Sequence, residues 1–480
     1  MVGIKSFGAY IPWNRLSRKT ISSAMGFFNP ATLPGEKAVA NYDEDSVTLA
    51  VAAGMDCLSG ADKSSIDAVY LASTTLPFKE RLNCGIVSTA LDLRSDIRSA
   101  DFTATLRSGT TALLAALDAV KAKTAKEALV CASDIRMGKM GSSLEQLSGD
   151  GAAAYLLGEE DVAAAFEGSY SLSLDFIDHW KAETESYVSA WEERWIREEG
   201  YLKFFPMVID GLLKKYNLKI EDFSKVIMAC PHGKVVSSMA KKMGINDGQL
   251  QDNMAATVGD TGSAYPLMLL VSALQDAKPG DNILLVGYGN GADALCFKVT
   301  DKILRTKNIS GIKGYLYNKT QLDSYQKYAV FRDMLPLDLG ARGDVFPTQL
   351  SHLWRQSRVV TGLYGTKCLK CGTVQYPAQR ICVNPDCGAI DQMEPHRFAE
   401  KTGKLFNYTG DNLTYCPNPP AAYGLVDFDG GGRYHFDLTD CTLESLKVGL
   451  PVRMSFRRKY IDKKQGISGY FWKAVPIRES

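Results

Sequence analysis

Short apolar runs alternate with amphipathic stretches over residues 1–300. The runs at 68–72, 128–132, 226–229 and 283–286 are continuous and rich in Val, Leu, Ile and Ala. Runs of this length predict strands that are buried on both faces of a sheet. Stretches with the spacing of amphipathic helices precede each run, and this alternation predicts an α/β architecture.

The order of these elements occurs twice. In the first half, a helix over 46–58 leads to SSIDAVYLAST, SGTTALLAALDAV, EALVCASD and GDGAAAYLL. In the second half, a helix over 205–216 leads to IEDFSKVIMACP, GDTGSAYPLMLLVSALQDAKPGD, NILLVGYG and NGADALCF. The matching order favours a duplicated unit over two unrelated β-α-β stretches. Two such copies are expected to pack about a pseudo-twofold axis, with a site between them.

The pattern changes between and after the two copies. Residues 178–201 are rich in Trp and Glu, and we interpret them as a helical insertion. Trp191 and Trp195, four residues apart, are expected to be packing anchors, the alternative being a stacking platform. A first domain over 1–301 is then followed by an irregular helical connector over 302–361. A cysteine-rich segment over 362–392 and β-like alternation over 393–480 predict two small domains, the second an antiparallel barrel or sandwich.

The charge balance excludes several partners. Among 480 residues, Lys plus Arg number 55 and Asp plus Glu number 54, so no overall basic field would attract nucleic acid or an anionic membrane.

The location is predicted from targeting segments and cysteines. The N-terminus has no signal-peptide core, and no apolar stretch reaches the roughly 18 residues of a membrane span. The 11 cysteines favour reduced thiols or metal ligation over a secreted disulfide scaffold. We therefore expect a cytoplasmic protein.

Two cysteine pairs form a candidate metal site. Their spacing is C-x2-C, ten residues, then C-x4-C, and glycine follows each second cysteine at Gly372 and Gly388. Two such turns predict a tetrahedral site for Zn²⁺, structural because four protein ligands leave no open position. Iron is the second choice, and free thiols or a redox disulfide are the alternatives without metal. The predicted ligands are Cys368, Cys371, Cys382 and Cys387.

Five blocks of the first domain resemble 3-hydroxy-3-methylglutaryl-CoA synthase and its microbial relatives in the thiolase superfamily. The blocks are YDEDSVTLAVAAG, SGTTALLAALDAV, PHGKVVSSMAKKMGI, GDTGSAY and PGDNILLVGYGNGADAL. The resemblance implies a duplicated αβαβα thiolase fold, an acyl-CoA substrate and a dimer around the SGTTALLAAL block. From KCLKCGTVQYPAQRIC onward, the chain is similar to the rubredoxin-like zinc ribbon and OB-fold domain that usually accompany such enzymes as a separate subunit.

The resemblance also implies three catalytic positions, and this chain differs at each. Aligned on Gly-Thr at 109–110, the pattern A-C-x-G-G-T places Leu106 where the nucleophilic cysteine stands. S-E-S-x-P places Thr74 at the catalytic glutamate, and H-x-P-x-G-[KR] places Ala229 at the histidine. The asparagine of G-N-T-x-x-A is replaced by Asp260. Because leucine cannot form an acyl-enzyme, we do not expect the usual covalent condensation.

Aldol chemistry needs no acyl-enzyme, only a base and donors that hold a thioester enolate. The candidate catalytic residues are Asp260, His232 and His179. Asp260 either lines the site, where burial would favour its neutral form, or caps the following helix. His232 follows the motif proline, the alternative being a surface loop, and His179 begins the insertion, where the family's substrate-facing loop runs. Arg107 binds a carboxylate or pairs with a core acid, and Cys230 is a disfavoured replacement nucleophile.

A basic run gives the candidate coenzyme A contacts. Lys234, Lys241 and Lys242 recur in the relatives' corresponding block. Lysines there can meet the nucleotide phosphates as point charges, and the alternative is a solvated helix face.

Three functions remain open. The first is a CoA-thioester carbon–carbon bond enzyme without covalent catalysis, an aldolase or retro-aldolase. The second is a non-catalytic subunit that binds acyl-CoA, pairs with a cysteine-containing thiolase homologue and supplies the zinc-ribbon and OB domains. The third is an acyltransferase that uses a displaced residue. The expected assembly is a homodimer or a hetero-oligomer with such a homologue.

Overall fold

The computed structural model describes residues 1–306, 309–338 and 347–478. The helices are α1 (Arg18–Met25), α2 (Ser46–Cys57), α3 (Asn83–Ala90), α4 (Ser108–Lys121), α5 (Ser143–Leu147), α6 (Glu193–Trp195), α7 (Leu202–Tyr216), α8 (Gly233–Lys242), α9 (Tyr265–Asp276), α10 (Gly311–Tyr317), α11 (Tyr325–Phe331), α12 (Leu350–Arg355) and α13 (Ser357–Val360). The strands are β1 (Gly3–Tyr10), β2 (Asn14–Ser17), β3 (Glu36–Val39), β4 (Ile66–Ala72), β5 (Arg98–Phe102), β6 (Glu127–Ile135), β7 (Asp150–Gly158), β8 (Ala164–Ser173), β9 (His179–Trp180), β10 (Ser189–Ala190), β11 (Lys225–Met228), β12 (Asn282–Tyr288), β13 (Gly291–Val299), β14 (Thr320–Gln321), β15 (Tyr364–Cys368), β16 (Val374–Gln375), β17 (Met393–Arg397), β18 (Thr402–Asp411), β19 (Ala421–Phe428), β20 (Arg433–Asp437), β21 (Pro451–Asp462) and β22 (Ile467–Pro476).

These elements form two compact units. Unit 1 consists of Met1–Ala40, Asp45–Gly85 and Leu93–Tyr328, and unit 2 consists of Asn41–Glu44, Ile86–Asp92 and Ala329–Ser480. Of the predicted connector over 302–361, residues 307–308 and 339–346 lie outside the described residues, and short helices α10 to α13 lie around them. No helix in the described part of the chain is long and apolar enough to cross a membrane.

Unit 1 is built on a nine-stranded sheet in the order β11-β12-β13-β8-β1-β7-β6-β4-β5. In the first half, β4 and β6 are parallel neighbours, and β7 and then β1 follow antiparallel. In the second half, β11 and β12 are parallel neighbours, and β13 and then β8 follow antiparallel. The two halves have the same strand order and direction, which confirms the predicted duplication.

Helices pack on the nine-stranded sheet, as expected for strands that are apolar on both faces. On the outside, α2 packs on β1, β6 and β7, and α7 packs on β8, β12 and β13. Between the two halves, α4 packs against α9. α9 is buried along most of its length, as expected of a helix that is apolar on all sides. The predicted duplicated α/β fold of the thiolase type is therefore confirmed.

The insertion over 178–201 is not one helix, so that prediction is wrong for its first part. β9 and β10 pair as a hairpin, and the amide of Trp191 donates to the carbonyl of Asp178. The polar run at 183–186 gives a helix no apolar face to bury. Helical structure begins at Glu193, passes through a π-helical turn over Ile196–Tyr201 and continues as α7.

Unit 2 contains two small β-sheets. One has three strands in the order β16-β15-β17, and the other has five in the order β20-β19-β18-β21-β22. All neighbours in the five-stranded sheet are antiparallel, and a bridge between Leu438 and Ala474 brings its two edges together. This arrangement confirms the predicted zinc ribbon followed by a small OB-fold barrel.

A cluster of buried charges lies in unit 2. Arg457 of β21 is 1% exposed and makes ion pairs with Asp43 at 3.4 Å, with Glu44 at 2.5 Å and with Asp440. Lys473 of β22 lies 2.9 Å from the second oxygen of Asp43. Burial opposes ionisation of Asp43, but Lys473 and Arg457 outweigh it and lower the pKa of that carboxyl. Residues 41–44, far away in sequence, are thus bound into the core of unit 2.

Candidate functional site

Leu106 lies in the turn that joins β5 to α4. The turn is tight: Ala104 has a φ of 73°, in the left-handed region that side chains other than glycine rarely adopt. Leu106 is half-buried. A Cβ atom on Gly289 would come within 3.0 Å of the Leu106 Cβ, so the β12–β13 turn packs directly on this residue.

The two copies of the duplicated unit meet at the start of α4. A Cβ atom on Gly109 would lie 2.1 Å from the carbonyl oxygen of Ser263, so only glycine permits this approach. Ser263 precedes α9, the counterpart of α4 in the second copy. The position predicted for the lost nucleophile therefore lies next to the contact between the copies.

Asp260 is 8% exposed and has both carboxylate oxygens engaged. One oxygen accepts a hydrogen bond from the amide of Gly262 at 2.9 Å. The other lies 3.2 Å from a guanidinium nitrogen of the buried Arg136. The first bond supports the capping interpretation, and the second shows that the same carboxylate is buried in an ion pair with Arg136.

Sequence reasoning missed Asp134, which is fully buried at the end of β6. One of its oxygens accepts from the hydroxyls of Ser73 and Thr75 and from the amide of Thr74, at 3.0, 2.8 and 2.7 Å. The other accepts from the amide of Ser263 at 2.7 Å. Asp134 therefore joins the turn after β4 to the loop before α9. An acid near the end of the otherwise apolar run ALVCASDI was the available signal.

His232 stands immediately before α8 and its side chain is 15% exposed. Its ring meets Tyr201 edge-on at 6.0 Å, and Nδ1 lies 3.8 Å from Glu193. Burial lowers the pKa of His232; Arg197 and His179 lower it further, while Glu193 and Asp260 oppose them. The ring is therefore neutral near pH ~7 and can accept a proton.

His179 is fixed by its neighbour in sequence. Its Nδ1 lies 3.2 Å from a carboxylate oxygen of Asp178. Burial opposes ionisation of Asp178, but hydrogen bonding and charge from His179 outweigh it and lower the pKa of the carboxyl. The ring of Tyr288 stacks on Tyr201 at 4.0 Å. Burial first, and then Asp178, raise the pKa of the Tyr288 hydroxyl, which stays protonated.

Tyr201, which contacts the rings of His232 and Tyr288, was not predicted. It is the last residue of the π-helical turn, a local structure found often at functional sites. Gly200 in the same turn leaves space for the hydroxyl of Tyr288, which a Cβ atom there would approach to 2.5 Å. Because the signal was a helix irregularity and not a residue type, sequence pattern alone did not show it.

Two further candidates have structural partners. Arg107 lies 3.4 Å from the buried Asp293 and also donates to the carbonyl of Leu172, as the core-acid alternative stated. Cys230 is fully buried, and burial raises the pKa of its thiol. The thiolate that a nucleophile needs is therefore not populated at neutral pH.

The three candidate CoA contacts lie on α8. Lys234 is in its first turn, and Lys241 and Lys242 are in its last. All three are exposed. Lys234 and Lys241 are seven residues apart, so they lie on one face of the helix about 10 Å apart along its axis. Both the phosphate-binding role and the solvated-face alternative fit this placement.

Four cysteines of unit 2 converge as the spacing predicts. Their sulfur atoms all lie within 4.8 Å of one another. Sulfurs held tetrahedrally at about 2.3 Å from Zn²⁺ are about 3.8 Å apart, and two of the observed separations are 3.9 and 3.5 Å. Gly372 and Gly388 adopt φ values of 77° and 55°, which the two knuckle turns require. The ligand set is Cys368, Cys371, Cys382 and Cys387.

Family models match three parts of the chain. Residues 362–391 match the ChsH2 rubredoxin-like zinc ribbon domain, and residues 396–457 match the ChsH2 C-terminal OB-fold domain. Residues 213–299 match the C-terminal part of 3-oxoacyl-[acyl-carrier-protein] synthase III. The zinc-ribbon match and the four converging sulfurs together confirm the predicted structural zinc.

Known proteins are also similar to this chain over about 70% of its length. A hydroxymethylglutaryl-CoA synthase of Methanocaldococcus jannaschii is 31% identical over 346 residues, 70% of this chain and 100% of that protein. One from Pyrococcus horikoshii is 32% identical over 340 residues, 69% of this chain and 96% of that protein. A crystal structure of HMG-CoA synthase complexed with CoA has a TM-score of 0.63 at 21% identity, covering 72% of this chain and 94% of that one. PksG, an HMG-CoA synthase from Bacillus subtilis, has a TM-score of 0.60 at 20% identity, covering 72% and 95%.

Proposed function

This chain belongs to the hydroxymethylglutaryl-CoA synthase family, and on that premise we propose that unit 1 binds an acyl-CoA thioester and makes or breaks a carbon–carbon bond of its acyl group without an acyl-enzyme. The reaction class is aldol addition or retro-aldol cleavage of a 3-hydroxyacyl-CoA. Zinc in the ribbon has a structural role and takes no part in the reaction.

One observation carries the proposal. At the turn before α4, the side chain is Leu106, which has no nucleophilic atom, while Asp134, Asp178 and Asp260 are buried ionisable groups in the same unit. His232 lies within electrostatic range of both Asp260 and His179. A site that had lost all chemistry would gain stability by replacing such buried polar groups with apolar ones.

The neutral ring of His232 acts as the base. In the cleavage direction it takes the proton of the substrate 3-hydroxyl group as the Cα–Cβ bond breaks. The C–O bond becomes a carbonyl, and the electron pair of the broken bond forms the thioester enolate. Asp260 stabilises the imidazolium that results, because its negative charge favours the protonated ring. The proton on His232 then passes to His179, where Asp178 stabilises the added charge, and from His179 to the enolate carbon, so that both rings end as they began.

Coenzyme A and assembly complete the proposal. Lys234, Lys241 and Lys242 bind the nucleotide phosphates.

The chain forms a homodimer through α4 and β5. β5 is one of the two edge strands of the nine-stranded sheet, and α4 leaves Thr111 exposed. The location is cytoplasmic, since the cysteines outside the zinc cluster are free thiols.

Turnover by the purified chain tests the proposal. A panel of 3-hydroxyacyl-CoA thioesters, including 3-hydroxy-3-methylglutaryl-CoA, is incubated with the protein, and products are identified by chromatography and mass spectrometry. We expect a shortened acyl-CoA and a carbonyl compound. The variant His232→Gln should lower kcat/KM by about 10²- to 10⁴-fold. His435→Gln, which changes an exposed histidine of unit 2, is the matched control.

Absence of turnover by the chain alone contradicts the proposal. If turnover then appears only with an added cysteine-containing thiolase homologue, the chain is the non-catalytic subunit of the second hypothesis.

A further inference from the structure

Ser108 is the first residue of α4 and is 2% exposed. Among the residues that the structure describes, no hydrogen-bond partner lies within reach of its hydroxyl oxygen. Burying a hydroxyl without a partner is unfavourable, and such groups in native proteins call for an explanation. A ligand that binds at this place would supply the missing partner.

On the same turn, Ser108 is the one hydroxyl without a partner among the described residues, although the Nε of Arg107 is also buried without one. The hydroxyl of Thr110 donates to Asp293 at 2.6 Å. The guanidinium of Arg107 contacts Asp293 and the carbonyl of Leu172. The hydroxyl of Thr110 and one guanidinium nitrogen of Arg107 therefore hold the start of α4 against the sheet, and the Thr110 hydroxyl is not free to donate to a ligand.

The hydroxyl also stands where a negative charge is stabilised. α4 has 14 residues; the amide of Ser108 donates to the carbonyl of Thr105 and that of Thr111 to the carbonyl of Arg107. The helix dipole still makes the amino end of α4 favourable for an anion. Ser108 lies two residues after Leu106, which occupies the position of the family's nucleophilic cysteine. In the pattern A-C-x-G-G-T, position 108 is glycine, so this chain lacks the thiol but carries an additional hydroxyl.

We propose that the Ser108 hydroxyl donates a hydrogen bond to the thioester carbonyl oxygen of the bound acyl-CoA, and that it stabilises the enolate oxygen when the Cα–Cβ bond breaks. The inference rests on the proposed function and assigns one donor to it. Ser108 keeps its proton throughout: the substrate hydroxyl proton goes to His232, and no bond forms to the serine oxygen.

The test compares binding of acetyl-CoA with binding of free CoA. Dissociation constants are measured by isothermal titration calorimetry for the wild type, Ser108→Ala and Ser108→Gly. We expect both variants to bind acetyl-CoA about three- to tenfold more weakly, because the loss of one neutral hydrogen bond lowers affinity by about that factor. Both variants should bind free CoA with the wild-type affinity. Ser143→Ala, which changes the exposed first residue of α5, should change neither constant. Thermal melting of each variant identifies any loss of folding.

Each outcome has a defined meaning. If both variants bind acetyl-CoA and CoA with wild-type affinity, the assignment of Ser108 is wrong, while the proposed function stands. If the folded wild type binds neither compound, the proposed function fails and the assignment fails with it. If acetyl-CoA leaves an acetyl group on the wild-type chain that Ser108→Ala does not carry, Ser108 is a nucleophile, and the donor role is wrong.

Discussion

His232 is the side chain whose ionisation governs the proposed chemistry. Charged groups reach it from several elements: Glu193 and Arg197 from the insertion helix, Asp260 from the loop before α9, and His179 from the hairpin. Burial is the largest effect and lowers its pKa below the ordinary value near 6.5. The neutral form that serves as base is therefore the form present at neutral pH.

This direction fixes the pH dependence. Because the folded protein binds the proton more weakly than the unfolded chain, the neutral ring persists as the pH falls to about 6.5, and both activity and stability decline below that value. We expect kcat/KM of the wild type to stay level between about pH 7 and 8 and to fall in acid. A profile that rises from about pH 7 towards pH 5 would show that a protonated His232 is the active form.

At the scale of single residues, motif positions could be predicted and their partners could not. Leu106, Asp260 and His232 were identified from the order of short patterns, because a pattern fixes the place of a residue on its turn. Asp134 and Tyr201 became visible only in the fold. Their contacts join segments far apart in sequence, such as Asp134 with Ser263, 129 residues away.

At the scale of elements, the zinc ribbon was the most predictable part of the chain. The spacing of its cysteines specifies two turns and a ligand set without any long-range information. The insertion was the least predictable. Trp191 and Trp195 have helical spacing, yet the structure places Trp191 directly after a strand and only Trp195 in a helix, where it stacks on Phe176. A pair of residues four apart is too short a pattern to define a helix.

Removing one ligand tests the ribbon. Wild-type protein should contain about one zinc ion per chain, and Cys371→Ser should lose it, because three thiolates hold Zn²⁺ more weakly than four. Cys416→Ser, which changes a cysteine of unit 2 outside the cluster, should retain the metal. Metal analysis of both proteins by mass spectrometry measures the difference. Equal zinc in Cys371→Ser and the wild type would contradict the site.

The Arg457 cluster gives a second test on an element. Arg457→Met removes the cation that the buried acids Asp43, Glu44 and Asp440 share, which should cost about 3–5 kcal/mol in the free energy of unfolding of unit 2. Lys459→Met, in the same strand, removes an exposed pair with Asp437 and should change stability by about 0.5 kcal/mol or less. Calorimetry should show the melting temperature fall by about 10 °C for Arg457→Met only. Equal melting temperatures would show that the cluster contributes little.

At the scale of the whole molecule, the duplication could be predicted but the composition of the units could not. Repeated order along the chain reflects repeated topology, so the matching halves of the sheet were expected. Unit 2, in contrast, includes Asn41–Glu44 and Ile86–Asp92 besides the C-terminal residues. The block YDEDSVTLAVAAG gave no sign that Asp43 and Glu44 belong with Arg457, because their interaction spans more than 400 residues.

Assembly is tested at the same scale. Light scattering at micromolar concentration should give a mass about twice 52.5 kDa. Ala115→Arg places a charge on the half-buried face of α4 and should shift the protein to a monomer, whereas Leu304→Arg, at an exposed position elsewhere in unit 1, should not. A monomeric wild type would contradict the proposed homodimer.

The central claim is carbon–carbon bond chemistry on a CoA thioester without an acyl-enzyme. The most direct measurement mixes excess protein with a 3-hydroxyacyl-CoA, stops the reaction with acid, and records the small-molecule products and the intact mass of the chain in the same sample. We predict a shortened acyl-CoA and a carbonyl product together with a chain of unchanged mass. An acyl group attached to the chain, or the absence of cleavage products, would contradict the claim.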